Sequence, residues 1–100
     1  MPGINIQAAH SLGKEAAMTR IKSLLSKMKA DHGDMINDLE EEWNHEGSVF
    51  SFRIMGMKVK GNFKVSADHV IIQGDLPLAA LPFKKTIEDR IREEAARLLK

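Results

Sequence analysis

Cysteine is absent from this chain of 100 residues. Without a thiol the chain forms no disulfide scaffold, no thiolate metal site and no cysteine nucleophile. Long apolar runs are also missing, because the longest span only a few residues and a transmembrane helix needs ~20. No basic stretch followed by an apolar one stands at the N-terminus, so no secretory leader is expected. We expect a cytoplasmic protein without a transmembrane segment.

A large charge of one sign is lacking as well. The 15 Lys and Arg residues nearly balance the 14 Asp and Glu residues, which leaves a formal net charge of +1. That charge is too small for an avid nucleic-acid binder, and an apolar content of 43% is too high for a disordered tail. No repeat and no Pro/Gly/Ser-rich linker divides the chain, so residues 1–100 are predicted to form one domain.

The start of the chain changes from a strand pattern to a helix pattern. Residues 4–10 alternate as a short strand. Ser11 is the expected N-cap of one helix that ends at Asp31-His32-Gly33. Residues at helical spacing form its predicted buried face, namely Ala17, Ile21, Leu24, Leu25 and Met28.

Residues 35–46 fit either a helix or a strand, and the next segment favours the strand. Phe50, Phe52 and Ile54 alternate strictly with other residues, which is typical of one half of a hairpin. With Glu46-Gly47 as a two-residue turn, the hairpin places three pairs opposite each other: Trp43 with Phe50, Glu40 with Arg53, and Leu39 with Ile54.

Two further strands extend the hairpin into a four-strand antiparallel meander. A turn at Met55-Gly56 begins the clearest strand, in which residues 57–66 place apolar side chains on one face and polar ones on the other. A turn at Ala67-Asp68 leads into the last strand. The predicted cross-strand pairs are Phe50 with Gly61, Phe63 with Ile72, and Lys60 with Asp75.

Pro77 and Pro82 prevent sheet pairing and mark the start of the last helix. The predicted core face of this helix consists of Phe83, Ile87, Ile91, Ala95 and Leu98. The order of strand, helix, four-strand antiparallel meander and helix predicts an α+β two-layer sandwich with both helices on one face of the sheet.

The four histidines lie at predicted element ends or turns, and no two have the i, i+2 or i, i+4 spacing that prepares a metal site. They are His10, His32, His45 and His69. Of these, His10 is expected to cap the start of the first helix. Glu40-Glu41-Glu42 is not one carboxylate cluster, because neighbouring strand residues point to opposite faces and only Glu40 and Glu42 share a side. The run therefore indicates a solvated acidic edge. No nucleophile stands beside a base, so we expect no catalytic residue, metal or cofactor.

The connection before the last helix is rich in large apolar residues. Leu76, Leu78, Leu81 and Phe83 surround the two prolines. They either plug the end of the sandwich or form an exposed patch that would suit a hydrophobic surface or a partner protein. We favour the plug.

The outward positions of the meander collect basic residues. Arg53, Lys58, Lys60 and Lys64 form a candidate basic sheet face for nucleic acid. This face lacks the interleaved aromatics on which bases stack, so pairing with acids of neighbouring strands is the favoured interpretation. Outward Val49, Met55 and Ile71 are a candidate face for a homodimer.

Two stretches carry a resemblance to a known family. They are His10-Ser11-Leu12-Gly13 after the first strand, and Gly56-Met57-Lys58-Val59-Lys60-Gly61 followed by Val65, Leu76, Leu81, Phe83-Lys84, Ile87-Glu88 and Ile91. The chain resembles the polyhydroxyalkanoic acid system family over nearly its whole length. The resemblance implies a small bacterial protein, often encoded beside polyhydroxyalkanoate synthesis genes, and no catalytic residues come with it.

The leading hypothesis is therefore a non-enzymatic accessory protein that touches a polyhydroxyalkanoate granule or a granule protein. One alternative is a ribosome- or RNA-binding domain, which the small net charge and the absence of outward aromatics oppose. The other is a carrier of a small apolar ligand, which requires a cavity between sheet and helices.

Overall fold

A computed structural model of the chain describes residues 3–32, 36–54 and 56–100, without the side chain of His32. The strands are β1 (Gly3–Ala9), β2 (Ile36–Asn44), β3 (Gly47–Ile54), β4 (Met57–Val65) and β5 (His69–Asp75). The helices are α1 (Lys14–Ile21), α2 (Leu24–His32) and α3 (Lys84–Leu98), with a 3₁₀ segment (Leu78–Phe83) before α3. The predicted α+β class and element order are confirmed.

The strands form one antiparallel sheet in the order β1-β5-β4-β3-β2. The predicted meander from β2 to β5 is present, and β1 pairs with β5. Three predicted pairs are confirmed: Phe50 with Gly61, Phe63 with Ile72, and Lys60 with Asp75. A Cβ atom on Gly61 would lie 2.4 Å from Cζ of Phe50, so only glycine leaves room for that ring. Met55, which was predicted to begin the turn before β4, lies outside the described residues.

The register between β2 and β3 differs from the predicted one by two residues from Glu40 to Asn44, and by three residues beyond the bulge, at Ile36 and Asn37. Trp43 lies opposite Ser48, so its predicted pairing with Phe50 is wrong. The structure likewise overturns the pairs of Glu40 with Arg53 and of Leu39 with Ile54. Because side chains alternate along a strand, a shift of two residues keeps Trp43 on its predicted face.

The turn between β2 and β3 explains this shift. It consists of His45-Glu46, because Oδ1 of Asn44 accepts hydrogen bonds from the N–H groups of Glu46 and Gly47 at 2.8 and 3.1 Å. Gly47, predicted in the turn, lies within β3 instead. A Cβ atom there would come within 1.9 Å of the carbonyl oxygen of Phe63, so the strand can approach β4 only with glycine at this position.

The helical segment after β1 is two helices where one was predicted. Both the N–H and the hydroxyl of Ser23 bond to the carbonyl oxygen of Arg20, at 3.4 and 3.0 Å, and such a side-chain bond competes with helix continuation. The predicted N-cap at Ser11 is wrong, because α1 begins after Gly13, whose φ of 83° favours glycine. The predicted C-terminal glycine, Gly33, lies outside the described residues.

Helix α3 begins at Lys84, after the 3₁₀ segment that contains Pro82. Phe83 is 59% exposed, so its predicted place on the core face is wrong. The buried stripe runs at spacings of four through Ile91, Ala95 and Leu99. Ile87 and Leu98 lie half-buried beside it. Among the described residues, no helix combines the length and the apolar character that crossing a membrane requires.

One cluster of buried side chains joins the helices to the sheet. Its largest fully buried members are Phe63, Ile6, Ile21, Leu24, Ile72 and Val70. The predicted face of the first helical segment is buried as expected, with Met28 at its margin. Ala17 of α1 and Ala95 of α3 are fully buried members of the same cluster.

Replacing Phe63 with alanine should lower the free energy of unfolding by ~3 to 5 kcal/mol, because the ring is 2% exposed and its loss leaves a cavity. Lys64, the next residue along β4, is exposed. Lys64→Ala should change stability by no more than about 0.5 kcal/mol. Urea unfolding of the two variants measures both effects, and equal midpoints would contradict the assignment of the strand faces.

Candidate functional site

Three of the four exposed large apolar side chains of the described chain lie in the 3₁₀ segment. Leu78, Leu81 and Phe83 are 73%, 39% and 59% exposed, and we call these three residues the apolar patch. Leu76, the fourth residue of the predicted group, is buried at 5%. The predicted plug is therefore confirmed for Leu76 and wrong for the other three. Residues i and i+3 eclipse in a 3₁₀ helix, which puts Leu78 and Leu81 on one side.

The charged residues nearest to the apolar patch on its C-terminal side in the sequence are lysines, and the nearest acids are Asp75 and Glu88. From Leu76 to Ile87 the chain contains two lysines, Lys84 and Lys85, and no acid. Lys85 is exposed and Lys84 is half-buried. A lysine beside an apolar surface can lay its methylene groups on that surface and keep its ammonium group in water. The patch is thus an apolar surface with a cationic edge.

The predicted basic residues lie on the outer face of the sheet, which we define as the face turned away from the helices. Lys58, Lys60 and Lys64 are exposed along β4. Arg53 lies on β3, where its Nε atom is 3.6 Å from Oδ2 of Asp38. Its predicted ion pair with Glu40 is therefore replaced by one with Asp38.

Asp38 reaches Arg53 from a bulge in β2. The register shifts between Asn37 and Glu40, and Asp38 takes a positive φ of 53°. Lys60 lies opposite Asp75 as predicted, but no ion pair within the described ranges joins the two. The bulge is a feature that the periodic pattern of the sequence did not reveal.

The outer face carries acids on β2 as well as lysines on β4. Glu40 and Glu42 are exposed on β2, while Glu41 points to the opposite side, as the alternation predicts. The described strand aromatics, Trp43, Phe50, Phe52 and Phe63, all belong to the helix-facing side. The described part of the outer face therefore offers no ring for base stacking, and no observation favours RNA binding there.

The interior between sheet and helices contains stacked rings. The Phe63 ring lies 5.6 Å from that of Trp43 and 5.0 Å from that of Phe50, and Phe50 lies 6.0 Å from Phe52, centroid to centroid. Two shallow depressions of the described chain lie elsewhere, one beside Lys60 and one beside Arg53. Nothing in this arrangement favours a carrier of an apolar ligand.

Glu41 is a charged residue on the apolar side of β2, opposite Phe50. Its Oε1 atom is buried and has no hydrogen-bond partner among the described residues. Burial raises the pKa of the Glu41 carboxyl above its ordinary value of 4.5, and a hydrogen bond with the Trp43 side chain opposes part of that effect. Nζ of Lys22 lies 5.7 Å from the centre of the Trp43 ring, on the same side of the sheet.

The described histidines make structural contacts. Nδ1 of His10 accepts a hydrogen bond from the N–H of Leu12 at 3.2 Å, in the loop before α1. Helix α1 has no side-chain cap, so the predicted capping role of His10 is wrong. Its Nε2 lies 3.2 Å from the carbonyl oxygen of Ser66. His69 lies 2.9 Å from Asp68, and its hydrogen bond lowers the pKa of that carboxyl. No group of three metal-binding side chains forms within the described ranges.

Comparison with known proteins gives one family. The profile of the family described as "Putative polyhydroxyalkanoic acid system protein" matches residues 4–99. No curated protein matches the chain. A solved structure, TTHA0849 from Thermus thermophilus, is similar with 13% identity over 98% of this chain and 92% of that chain, at a TM-score of 0.35. Likeness at that level carries no argument about function.

Glu41→Gln should raise the free energy of unfolding at about pH 7, because a neutral amide is buried at a lower cost than a carboxylate, and the partial exposure of this side chain to water keeps the gain small. The folded chain holds the Glu41 proton to a higher pH than the unfolded chain does, since burial raises the pKa. Below about pH 4.5 the Glu41 carboxyl is protonated in both states and does not lower the stability of the wild type. As the pH rises through the raised pKa, the carboxyl ionises in the folded chain and the free energy of unfolding decreases. The advantage of the variant should shrink toward about pH 4.

Exposed Glu42, the next residue on β2, provides the control for that variant. Glu42→Gln should stay within about 0.5 kcal/mol of the wild type. Urea unfolding across this pH range measures all three proteins. An advantage of Glu41→Gln that does not change with pH would contradict the assigned cost of the buried carboxylate.

Proposed function

Because the chain belongs to the family of polyhydroxyalkanoic acid system proteins, we propose that it is a non-enzymatic accessory protein of polyester storage in the cytoplasm. The apolar patch is the surface that contacts the polymer. The observation that carries the proposal is the exposure of Leu78, Leu81 and Phe83 within one 3₁₀ segment of six residues. Apolar side chains clustered in this way commonly mark an interaction surface.

The chemistry of the patch suits a solid polyester. Fully burying one Leu or Phe side chain is worth ~1.5 to 3 kcal/mol, so three partly exposed side chains supply enough free energy for reversible adsorption. Lys84 and Lys85 lie directly beside Phe83, where their ammonium groups can donate hydrogen bonds to ester carbonyl oxygens. The patch would thus bind an apolar surface that also presents acceptors.

A binding role also agrees with how the polar side chains are used. His10 contacts two backbone groups at the junction of β1 and α1, and His69 contacts its neighbour Asp68 in a turn. These contacts stabilise loops. The proposal therefore assigns no catalytic step to any residue.

A double variant, Leu78→Ser with Phe83→Ser, should bind bare polyhydroxyalkanoate particles at least ~tenfold more weakly than the wild type, because it removes the two most exposed apolar side chains. Co-sedimentation with the particles measures the bound fraction. Neither side chain belongs to the core, so the unfolding midpoint of the variant should remain close to that of the wild type.

The matched control keeps the apolar character at both positions, as Leu78→Met with Phe83→Leu, and should bind like the wild type. Wild-type protein that stays in solution with bare particles would contradict contact with the polymer. If it then sediments only with granules that retain their proteins, a granule protein is the partner instead.

A further inference from the structure

Charge on the outer face of the sheet is separated by strand. Lys58, Lys60 and Lys64 point outward from β4, and no acid does so from that strand. Glu40 and Glu42 point outward from β2. Between these two strands lies β3, whose outward positions include Gly47, Val49 and Ser51. On the far side of β4, Asp75 of β5 is an outward acid opposite Lys60, but the three lysines outnumber it. The face therefore has a net positive charge on the β4 side of β3 and a negative charge on the β2 side.

The middle of this face carries small side chains and one exposed valine. Gly47, Val49 and Ser51 are small outward residues of β3, and Val49 is 55% exposed. Within the described sheet, no other large apolar side chain is as exposed as Val49. A flat central strand of this kind permits a second sheet to pack at the usual separation of ~10 Å.

The opposite charges do not neutralise one another within the chain. Strands β2 and β4 are two strand spacings apart, about 10 Å. Between described residues no ion pair includes a β4 lysine, Glu40 or Glu42. Arg53, at the far end of β3, is paired with Asp38. The charges without an ion pair are thus the lysines of β4 on one side of β3 and Glu40 and Glu42 of β2 on the other.

We propose that a second copy of this chain packs on the outer face, with the two-fold axis running along β3. Such an axis places β4 of each copy over β2 of the other and leaves the height of each residue along the strands unchanged. Lys60 and Glu40 both lie opposite Ser51, so they share one height. Lys60 therefore faces the partner's Glu40, and Glu40 faces the partner's Lys60.

The same axis brings the apolar centre together. Val49 lies on β3 and meets the partner's Val49 in the middle of the interface. Arg53 also lies near the axis, but its contact with Asp38 reduces the repulsion between the two copies. A polyanion such as RNA fits the face less well, because it would also meet Glu40 and Glu42. This dimer does not depend on the proposed function, since the apolar patch lies outside the face.

Sedimentation equilibrium of the full chain tests the proposal through a charge exchange. Lys60→Glu and Glu40→Lys should each weaken dimerisation at least ~tenfold, because each places like charges in contact twice. The double variant exchanges the two charges and should return to within about threefold of the wild type. Raising the salt from about 0.05 to 0.5 M should weaken the wild-type dimer as well.

Controls separate this interface from general effects. Lys29→Glu makes the same charge change on the exposed side of α2 and should leave dimerisation unaltered. Leu78→Ser, in the apolar patch, should leave it unaltered too. Circular dichroism verifies folding, and the salt series needs no variant at all. A wild type that is monomeric in low salt, or a dimer that the charge exchange does not affect, would overturn the proposal.

Discussion

The position of the Phe63 ring is the constraint on which the sheet depends. The ring is stacked on Trp43 of β2 and tilted against Phe50 of β3, so one side chain of β4 contacts both preceding strands of the meander. Phe50 in turn occupies the space over Gly61. Because these rings must share one side of the sheet, the other side is left to polar and charged residues. The charged residues of β2 and β4 therefore lie on the outer face, with Val49 as the exposed large apolar side chain among them.

Much of the fold could be predicted from alternation alone. Strands β3, β4 and β5 carry unambiguous patterns and are joined by short turns, so both their faces and their registers agree with the sequence-based pairs. The register of β2 could not be predicted in the same way, because a shift of two residues preserves the pattern. It is decided by the Asn44 side chain in the turn and by the close approach of Gly47 to β4.

The candidate site was predictable in composition and not in exposure. The sequence pattern of large apolar residues beside two prolines is the same whether their side chains fill a core or face solvent, so it does not determine their exposure. The 3₁₀ segment and the start of α3 at Lys84 decide the outcome, since they turn Leu78 outward while Leu76 remains buried. Alternation along β2 predicts that Glu41 points away from Glu40 and Glu42. Its buried Oε1 depends on packing that alternation does not describe.

Strand β2 lies at one edge of the sheet. The unpaired backbone N–H and C=O groups of an edge strand can form hydrogen bonds with a strand of another molecule, and repeated pairing of this kind produces aggregates. The bulge at Asp38, with its positive φ, interrupts the regular ladder that an added strand would need. Neighbouring Glu40 and Glu42 add like charges that would meet in a symmetric pairing of two such edges. The same segment that carries the acids of the outer face thus protects the chain from growing into fibres.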